Sequence, residues 1–516
     1  MCKPADTARR HPPSGSSKPD ARLPLRALSL ADCFAAALVF AAFGQADSWR
    51  SLLADGDTGW HIRTGEWILR HRAIPAFDLF SFSRPGQPWF AWEWLSDVLF
   101  AAVHHVAGLA GIAALCAAVI AASAVLLYGR MVAGGAGILL AAGVTAAAVN
   151  ASTIHYLARP HAFSLLGFAA ALALLERDRR RAGRTVWLLA PLTALWANLH
   201  GGFAGWLATL GVLVLSHAAV GDRPGCRRYG LLALLCAAAS LANPFGWTLH
   251  GHILRYLASP WIQDAVQEFQ SPRFRSENSM VFAVLLVAAA AAAGRWRWRR
   301  DPFPPALALL WAFAALRSAR HIPQFALAAA PLVAWEAERL WRERAAGAAL
   351  RAPVRVLYEL SAEWSQRAAS VTLRGAAACA AILWLCVPAG GLPDFPKERF
   401  PVEALAVQRP AIAASRRLLT SDQWADYLIF HDYPERRVFM DGRSDFYGPD
   451  IGREYQTLQS GTGGWRAILD KYAFDAALLP HEWPLSSSLG KENGWREVYR
   501  DRSSVLFRKD APGGRS

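Results

Sequence analysis

Asp55-Gly56-Asp57 opens a stretch that continues Thr58-Gly59-Trp60-His61-Ile62-Arg63-Thr64-Gly65-Glu66-Trp67-Ile68-Leu69. A carboxylate in such a place can deprotonate a hydroxyl, or hold a cation that does so. It can also simply cap the following helix, since it satisfies free backbone N–H groups and the positive end of the dipole. Two acids exceed what one cap needs. Trp60, Thr64, Trp67 and Ile68 share one helical face while Arg63, Glu66 and Arg70 lie elsewhere, so the spacing predicts a helix in a membrane interface. Arg159, Arg317 and Arg320, with His321 beside the last, suit a phosphate or diphosphate leaving group, because guanidinium pairs bidentately with phosphate oxygens. Their structural alternative is snorkelling to lipid headgroups. His61 and His200 lack the paired spacing a zinc site would use.

What must position these groups is a membrane bundle. Of 516 residues, 54% are hydrophobic and 18% charged, and the apolar residues form runs of Ala, Leu and Val too long for ordinary amphipathic core helices. A net charge of +15 does not indicate a nucleic-acid partner here, because Lys and Arg cluster between the apolar runs and not on one amphipathic face. The expected spans are roughly 28–46, 109–128, 132–150, 161–175, 186–200, 203–220, 229–246, 279–294, 303–316, 322–338 and 372–391, about eleven transmembrane helices. A cytoplasmic N-terminus then puts Arg177, Arg179, Arg180, Arg181, Arg184, Arg223, Arg227, Arg228, Arg295, Arg297, Arg299, Arg300 and the 339–371 connector on one side, the positive-inside pattern. An odd number of spans exports the C-terminal segment. Leu95–Val106 is read as an amphipathic helix outside the membrane, broken from the next span at Gly108; a second span there would invert everything downstream.

Under this topology Arg159, His161, Asn198, His200, Asn243, Arg317, Arg320 and His321 all sit at external span ends. Ionisable groups near a membrane usually face a cavity or a partner, so their shared sidedness predicts a polar chamber at that interface. Residues 1–27, rich in Pro, Ser and Arg, read as a disordered cytoplasmic tail. The first apolar run, ending near Ala46, also has the form of a cleaved signal; in both cases the next loop is outside. The seven cysteines fall in spans or on the cytoplasmic side, so no external disulfide is expected.

The expected organisation is a transmembrane domain over 28–391 with an external loop at 47–94, a small α/β extracytoplasmic domain over 392–510, and a tail, 511–516. In the α/β part, β-prone runs at 417–420, 437–441, 476–480, 497–500 and 504–508 alternate with helical stretches such as 423–431, 451–458 and 465–472. Asp441-Gly442-Arg443-Ser444-Asp445 follows one predicted strand as a loop site, or as a tight Asp-Gly turn with Arg443 and Asp445 paired.

The first loop goes on through Pro75, Asp78, Gly86-Gln87-Pro88-Trp89 and Trp92-Glu93-Trp94-Leu95. An acid-containing loop, an amphipathic helix, a Gly-x-Pro-aromatic turn and an acid before a Trp-Leu helix resemble the first loop of GT-C membrane glycosyltransferases. Together with Arg159-Pro160-His161, Trp196-Ala197-Asn198-Leu199-His200-Gly201-Gly202, Asn243-Pro244-Phe245-Gly246 and Val438-Phe439-Met440-Asp441-Gly442-Arg443-Ser444-Asp445-Phe446-Tyr447-Gly448, the chain resembles a little-characterised bacterial family of such proteins. The resemblance implies sugar transfer from a polyprenyl-phosphate-linked donor to an extracytoplasmic glycan, lipid or protein acceptor, at the bacterial inner membrane. It also implies that Asp55 or Asp57 acts as catalytic base or as organiser of a metal or acceptor. A divalent cation stays open as cofactor, since the second acidic motif of many relatives is reduced here to Glu268 near Pro272. Trp60, His61, Glu93, His161, Asn198, His200 and Asn243 are the further pocket candidates. The competing readings are a transporter or flippase of lipid-linked saccharides and a non-catalytic membrane scaffold. Polar groups at helix ends, without evident internal repeats, favour the enzyme over a transporter.

Overall fold

The computed structural model describes residues 28–345, 352–367 and 371–510. The predicted tails, 1–27 and 511–516, lie outside the described residues. Every apolar run read as a span contains a helix: Leu30–Phe43, the second half of Trp94–Ala133, Ile138–Ser152, His161–Arg180, Leu189–Leu199, Phe203–Ala219, Arg223–Ala239, Glu277–Arg295, Phe303–Arg317, Ile322–Ala345 and Leu373–Cys386. By length and apolar composition alone, three helices are able to cross a membrane, with the bent pair Leu30–Phe43 and Ala46–Leu52 as a fourth. Trp94–Ala133 breaks at Gly108, whose φ of 59° is left-handed backbone that glycine tolerates and β-carbon-bearing residues resist. The amphipathic half before the break is thereby turned away from the apolar half after it.

Polar side chains tie the bundle where apolar packing alone would leave helices free to slide. Ser29 and Asp32 form a capping box on the first helix. Asp32 also accepts from the Thr372 backbone N–H at 2.7 Å and its hydroxyl at 2.9 Å, so one carboxylate caps the first helix and holds the start of Leu373–Cys386. The described cysteines, Cys33 to Cys386, are all free.

The first-loop helix, Asp57–His71, lies between two partners. Gly65 packs against the Asp97 carbonyl of the amphipathic helix, while Gly56 and Gly59 pack against the backbone of Gln423 and Asp426 on the helix Asp422–Asp432. A β-carbon at any of the three would collide with backbone. The glycines therefore let the three helices stack at close range.

The C-terminal region carries four strands, β1 (Leu418–Leu419), β2 (Ala476–Pro480), β3 (Trp495–Arg500) and β4 (Ser504–Lys509), in the order β1-β2-β4-β3. β1 runs parallel to β2, with Leu418 opposite Ala476; the other pairs are antiparallel, with Leu478 opposite Leu506. Every residue of β2 is buried, as expected for a central strand covered on both faces. The run 437–441, expected as a strand, does not join this sheet. Its backbone is satisfied instead by the first loop: Phe82 N–H donates to the Val438 carbonyl and Val438 N–H to the Phe80 carbonyl, both at 2.9 Å.

Beneath that junction Arg443 donates to Asp78 at 2.7 Å and to Asp441 at 2.6 Å, and Tyr447 donates to Asp441 at 2.7 Å, all four side chains being buried. Arg443 also stacks near the Phe80, Trp89 and Phe446 rings. The expected pairing of Arg443 with Asp445 is not formed: Asp445 faces His252 at 3.2 Å. Removing one partner of a buried ion pair strands the others, at a cost of about 3–5 kcal/mol. Arg443→Ala should thus lower the thermal unfolding midpoint in detergent and open the C-terminal region to limited proteolysis; a variant as stable as the parent would show that the network does not hold the domain.

Candidate functional site

A cavity of 1320 Å³ opens between one end of the bundle and the C-terminal region. Asp55, Asp57, His155, Arg159, Tyr256, Trp261, Glu268 and Arg320 line its bundle side, and Arg399, Asp422, Gln423, Trp424, Gly442 and Tyr455 its other wall. Five sequence candidates meet here: Asp55, Asp57, Arg159, Glu268 and Arg320.

Arg159 is the centre of their geometry. Its guanidinium stands 2.6 Å from Asp57, 3.2 Å from Asp55 and 3.5 Å from Glu268. Glu268 is also 3.5 Å from Arg320 and 3.6 Å from His155. Burial pushes the Glu268 carboxyl up, but Arg320, Arg159 and the nearby histidines outweigh it and hold the group well below the usual carboxylate range. Asp57 behaves oppositely: burial, then Asp55 and Glu268, raise it despite Arg159. Within this charge cluster Asp57 Oδ1 and Arg320 Nη1 are buried without a hydrogen-bond partner among the described residues, Arg320 Nη1 facing Glu268 only at ion-pair distance, 3.5 Å. One is an acceptor and the other a donor, so the cluster retains unfilled capacity for a proton-bearing group and for an anion.

A divalent cation does not fit this arrangement. Among the described residues no three His, Cys, Asp or Glu converge as ligands of one ion. The guanidinium of Arg159 stands among the carboxylates where such an ion would have to sit.

The remaining candidates form a layer outside the cavity wall. His61 pairs with Asp97 at 2.6 Å and faces Glu93 at 3.7 Å, and Trp60 stacks on its ring. Burial lowers the His61 imidazole well below its usual range and raises the Asp97 carboxyl well above its own. His200 stands 3.4 Å from Glu93 and 2.7 Å from Ser164, and His161 bonds the His155 carbonyl at 2.8 Å. Asn198 accepts from the Trp94 indole at 2.9 Å, and Asn243 closes its own turn onto Phe245 at 2.8 Å. Arg317 reaches Gln263 at 2.9 Å, and His321 lies 6.0 Å from the Trp311 ring. Asp441 and Arg443 belong to the buried junction already described. The helix Trp247–Ala258, which supplies Tyr256, was not expected from the sequence, although the Asn243–Gly246 turn announces a new element.

The sequence matches no protein-family model and no curated protein. Its fold has solved counterparts. The archaeal oligosaccharyltransferase AglB from Archaeoglobus fulgidus, in complex with an inhibitory peptide and a dolichol-phosphate, aligns with a TM-score of 0.60 at 12% identity, over 90% of this chain and 72% of that one. The Archaeoglobus fulgidus oligosaccharyltransferase tethered with an acceptor peptide containing the NVT sequon aligns with a TM-score of 0.56 at 12% identity, over 93% of this chain and 74% of that one. The chain shares the fold of these oligosaccharyltransferase structures. It is mainly helical with a small C-terminal sheet, as the apolar runs and the alternation of β-prone and helical stretches after residue 392 predicted.

Within this fold Glu93 gives a pH test. Burial pushes its carboxyl up to about 8, against the lowering influence of Arg159 and Arg320. An acid raised in the folded state keeps its proton while the unfolded chain loses it near pH 4, so its contribution is full below about pH 4 and declines as pH rises to 8. Glu93→Gln, which cannot ionise, should match the parent's unfolding midpoint near pH 5 and exceed it at pH 8. Parallel midpoints across that range would mean that Glu93 ionises normally.

Proposed function

We propose that the protein is a membrane glycosyltransferase that moves a sugar from a polyprenyl-phosphate-linked donor to an extracytoplasmic acceptor. The observation that carries this reading is the first-loop acid Asp57, ion-paired with Arg159 on the floor of a cavity walled by both the bundle and the C-terminal region. In support, a chain of the same fold was solved with a dolichol-phosphate and a peptide bound.

All eleven apolar helices are read as spans, with the N-terminus cytoplasmic and residues 392–510 extracytoplasmic at a bacterial inner membrane. A lipid-borne donor then arrives laterally and a polar acceptor from the aqueous side, and the two meet only at the interface where the cavity lies. Asp57, or Asp55 beside it, takes the acceptor's proton as the acceptor atom bonds the anomeric carbon. The bond from that carbon to the phosphate oxygen breaks with its electron pair, and Arg320 with Arg159 stabilises the charge arriving on the lipid phosphate. Arg317 and His321, outside the cavity wall, would support the segment that carries Arg320.

Topology and chemistry are separately testable. Single cysteines at positions 57 and 443 should label from one side of the membrane and those at 179 and 297 from the other; labelling of 57 and 443 from opposite sides would remove the shared chamber. Asp57→Asn keeps size and loses charge, so turnover should fall by about 100-fold or more with expression intact. Arg320→Lys replaces a fork by a point charge and should raise the donor KM more than the acceptor KM. Variants that transfer sugar as well as the parent, Asp55→Asn included, would place the active site elsewhere.

A further inference from the structure

The proposed reaction leaves Asp426 unused, although this carboxyl is fully buried against the first-loop acid. Both Asp426 oxygens accept from the Gly442 N–H, at 3.1 and 3.2 Å. A β-carbon at Gly442 would overlap Asp57 Oδ1 and stand 2.9 Å from Asp426 Oδ2, so a glycine is what lets the two carboxyls approach one another across its backbone. Asp57 Oδ2 is taken by Arg159 at 2.6 Å, while Asp57 Oδ1 is buried without a donor among the described residues. Two ionised carboxylates cannot satisfy each other, but one proton between them satisfies both.

Resting on the reading of Asp57 as the acceptor's base, we propose that Asp426 is a positioning residue that shares one proton with Asp57, so that the C-terminal domain sets the charge on the acid that activates the acceptor. The groups facing the pair agree with this. Asp57 meets Arg159, Asp55 in its own loop and Glu268 from the 3-10 turn Gln267–Phe269; Asp426 meets Asp441 and, on its own helix, Asp422. Asp441 is itself ion-paired with Arg443 at 2.6 Å. Burial and the neighbouring acids raise both members of the pair, while Arg159 favours the charge on Asp57. The shared proton therefore rests on Asp426 and donates to Asp57, which stays ionised and oriented. During transfer the acceptor's proton passes to Asp57 and is returned to water after the lipid phosphate has left; the Asp426 proton is not consumed.

The test uses the full-length protein in lipid nanodiscs. At pH 7 the infrared difference between the parent and Asp426→Asn should contain one protonated-carboxyl band; no such band overturns the proposal. This arm needs no substrate. With a synthetic polyprenyl-phosphate hexose as donor and water as acceptor, the rising limb of kcat/KM should move up by about one pH unit in Asp426→Asn, because an amide donates a weaker hydrogen bond to ionised Asp57 than a protonated carboxyl does. The donor KM should stay within about threefold. Gly442→Ala, which forces the pair apart, should lower kcat by at least about tenfold. A slower Asp426→Asn whose rising limb stays at the parent's pH would leave Asp426 a purely structural residue and overturn the proposal. Full turnover by Asp57→Asn would instead reject Asp57 as the base, a separate failure read from a separate variant. If Asp426→Asn does not accumulate, the parent minus Asp426→Ser difference carries the infrared arm with the same two outcomes.

Discussion

The ion pair between Arg159 and Asp57 is the contact on which the rest of the external architecture depends. Five acids, Asp55, Asp57, Glu268, Asp422 and Asp426, approach one another around the cavity floor, and such a cluster would repel itself apart without a cation. Arg159 supplies that charge from the segment between two bundle helices, and Arg320 supplies a second from another. The result is a site with charge of both signs, partly shielded from water. In such surroundings an added phosphate or a departing proton changes the local energy far more than it would in bulk solvent.

A second constraint is the closeness of the backbone. The first-loop helix can carry its acids to the C-terminal region only because Gly56 and Gly59 admit the Gln423–Asp426 backbone, and Gly442 admits both carboxyls. The buried Arg443 network fixes the same junction from below. The C-terminal region is thus part of the floor of the site as well as its outer wall. An arrangement of this kind couples domain docking to site assembly without requiring any moving part.

What was legible in the sequence follows from the range of the interaction involved. The break at Gly108 could be read because composition changes there from amphipathic to uniformly apolar and glycine stands at the change. The strands at 476–480 and 504–508 could be read from short β-prone runs between turn residues. Gathering of Asp55, Asp57, Arg159 and Arg320 was reached through sidedness alone, since the charge asymmetry of the loops orders every helix end. The fate of 437–441 could not be read, because a β-prone run does not reveal whether its partner is a neighbouring strand or the distant first loop. The place of Asp426 was hidden for the same reason: nothing local distinguishes an acid on an amphipathic helix from one pressed against Asp57. The helix Trp247–Ala258 was obscured by its mixed His, Arg and apolar sequence, which fits neither a span nor a polar loop.

The central claim is that this cavity receives a lipid phosphate at its membrane side, beside Arg159 and Arg320. Ile154 lines that side and is partly exposed, yet takes no part in the charge cluster. A photoreactive amino acid placed at position 154, in membranes supplied with a polyprenyl phosphate, tests the claim directly by mass spectrometry of the crosslinked peptide. The account predicts a lipid adduct at 154 that an excess of unlabelled polyprenyl phosphate displaces and a polyprenyl alcohol does not. An adduct competed equally by the alcohol, or none at 154, would contradict it.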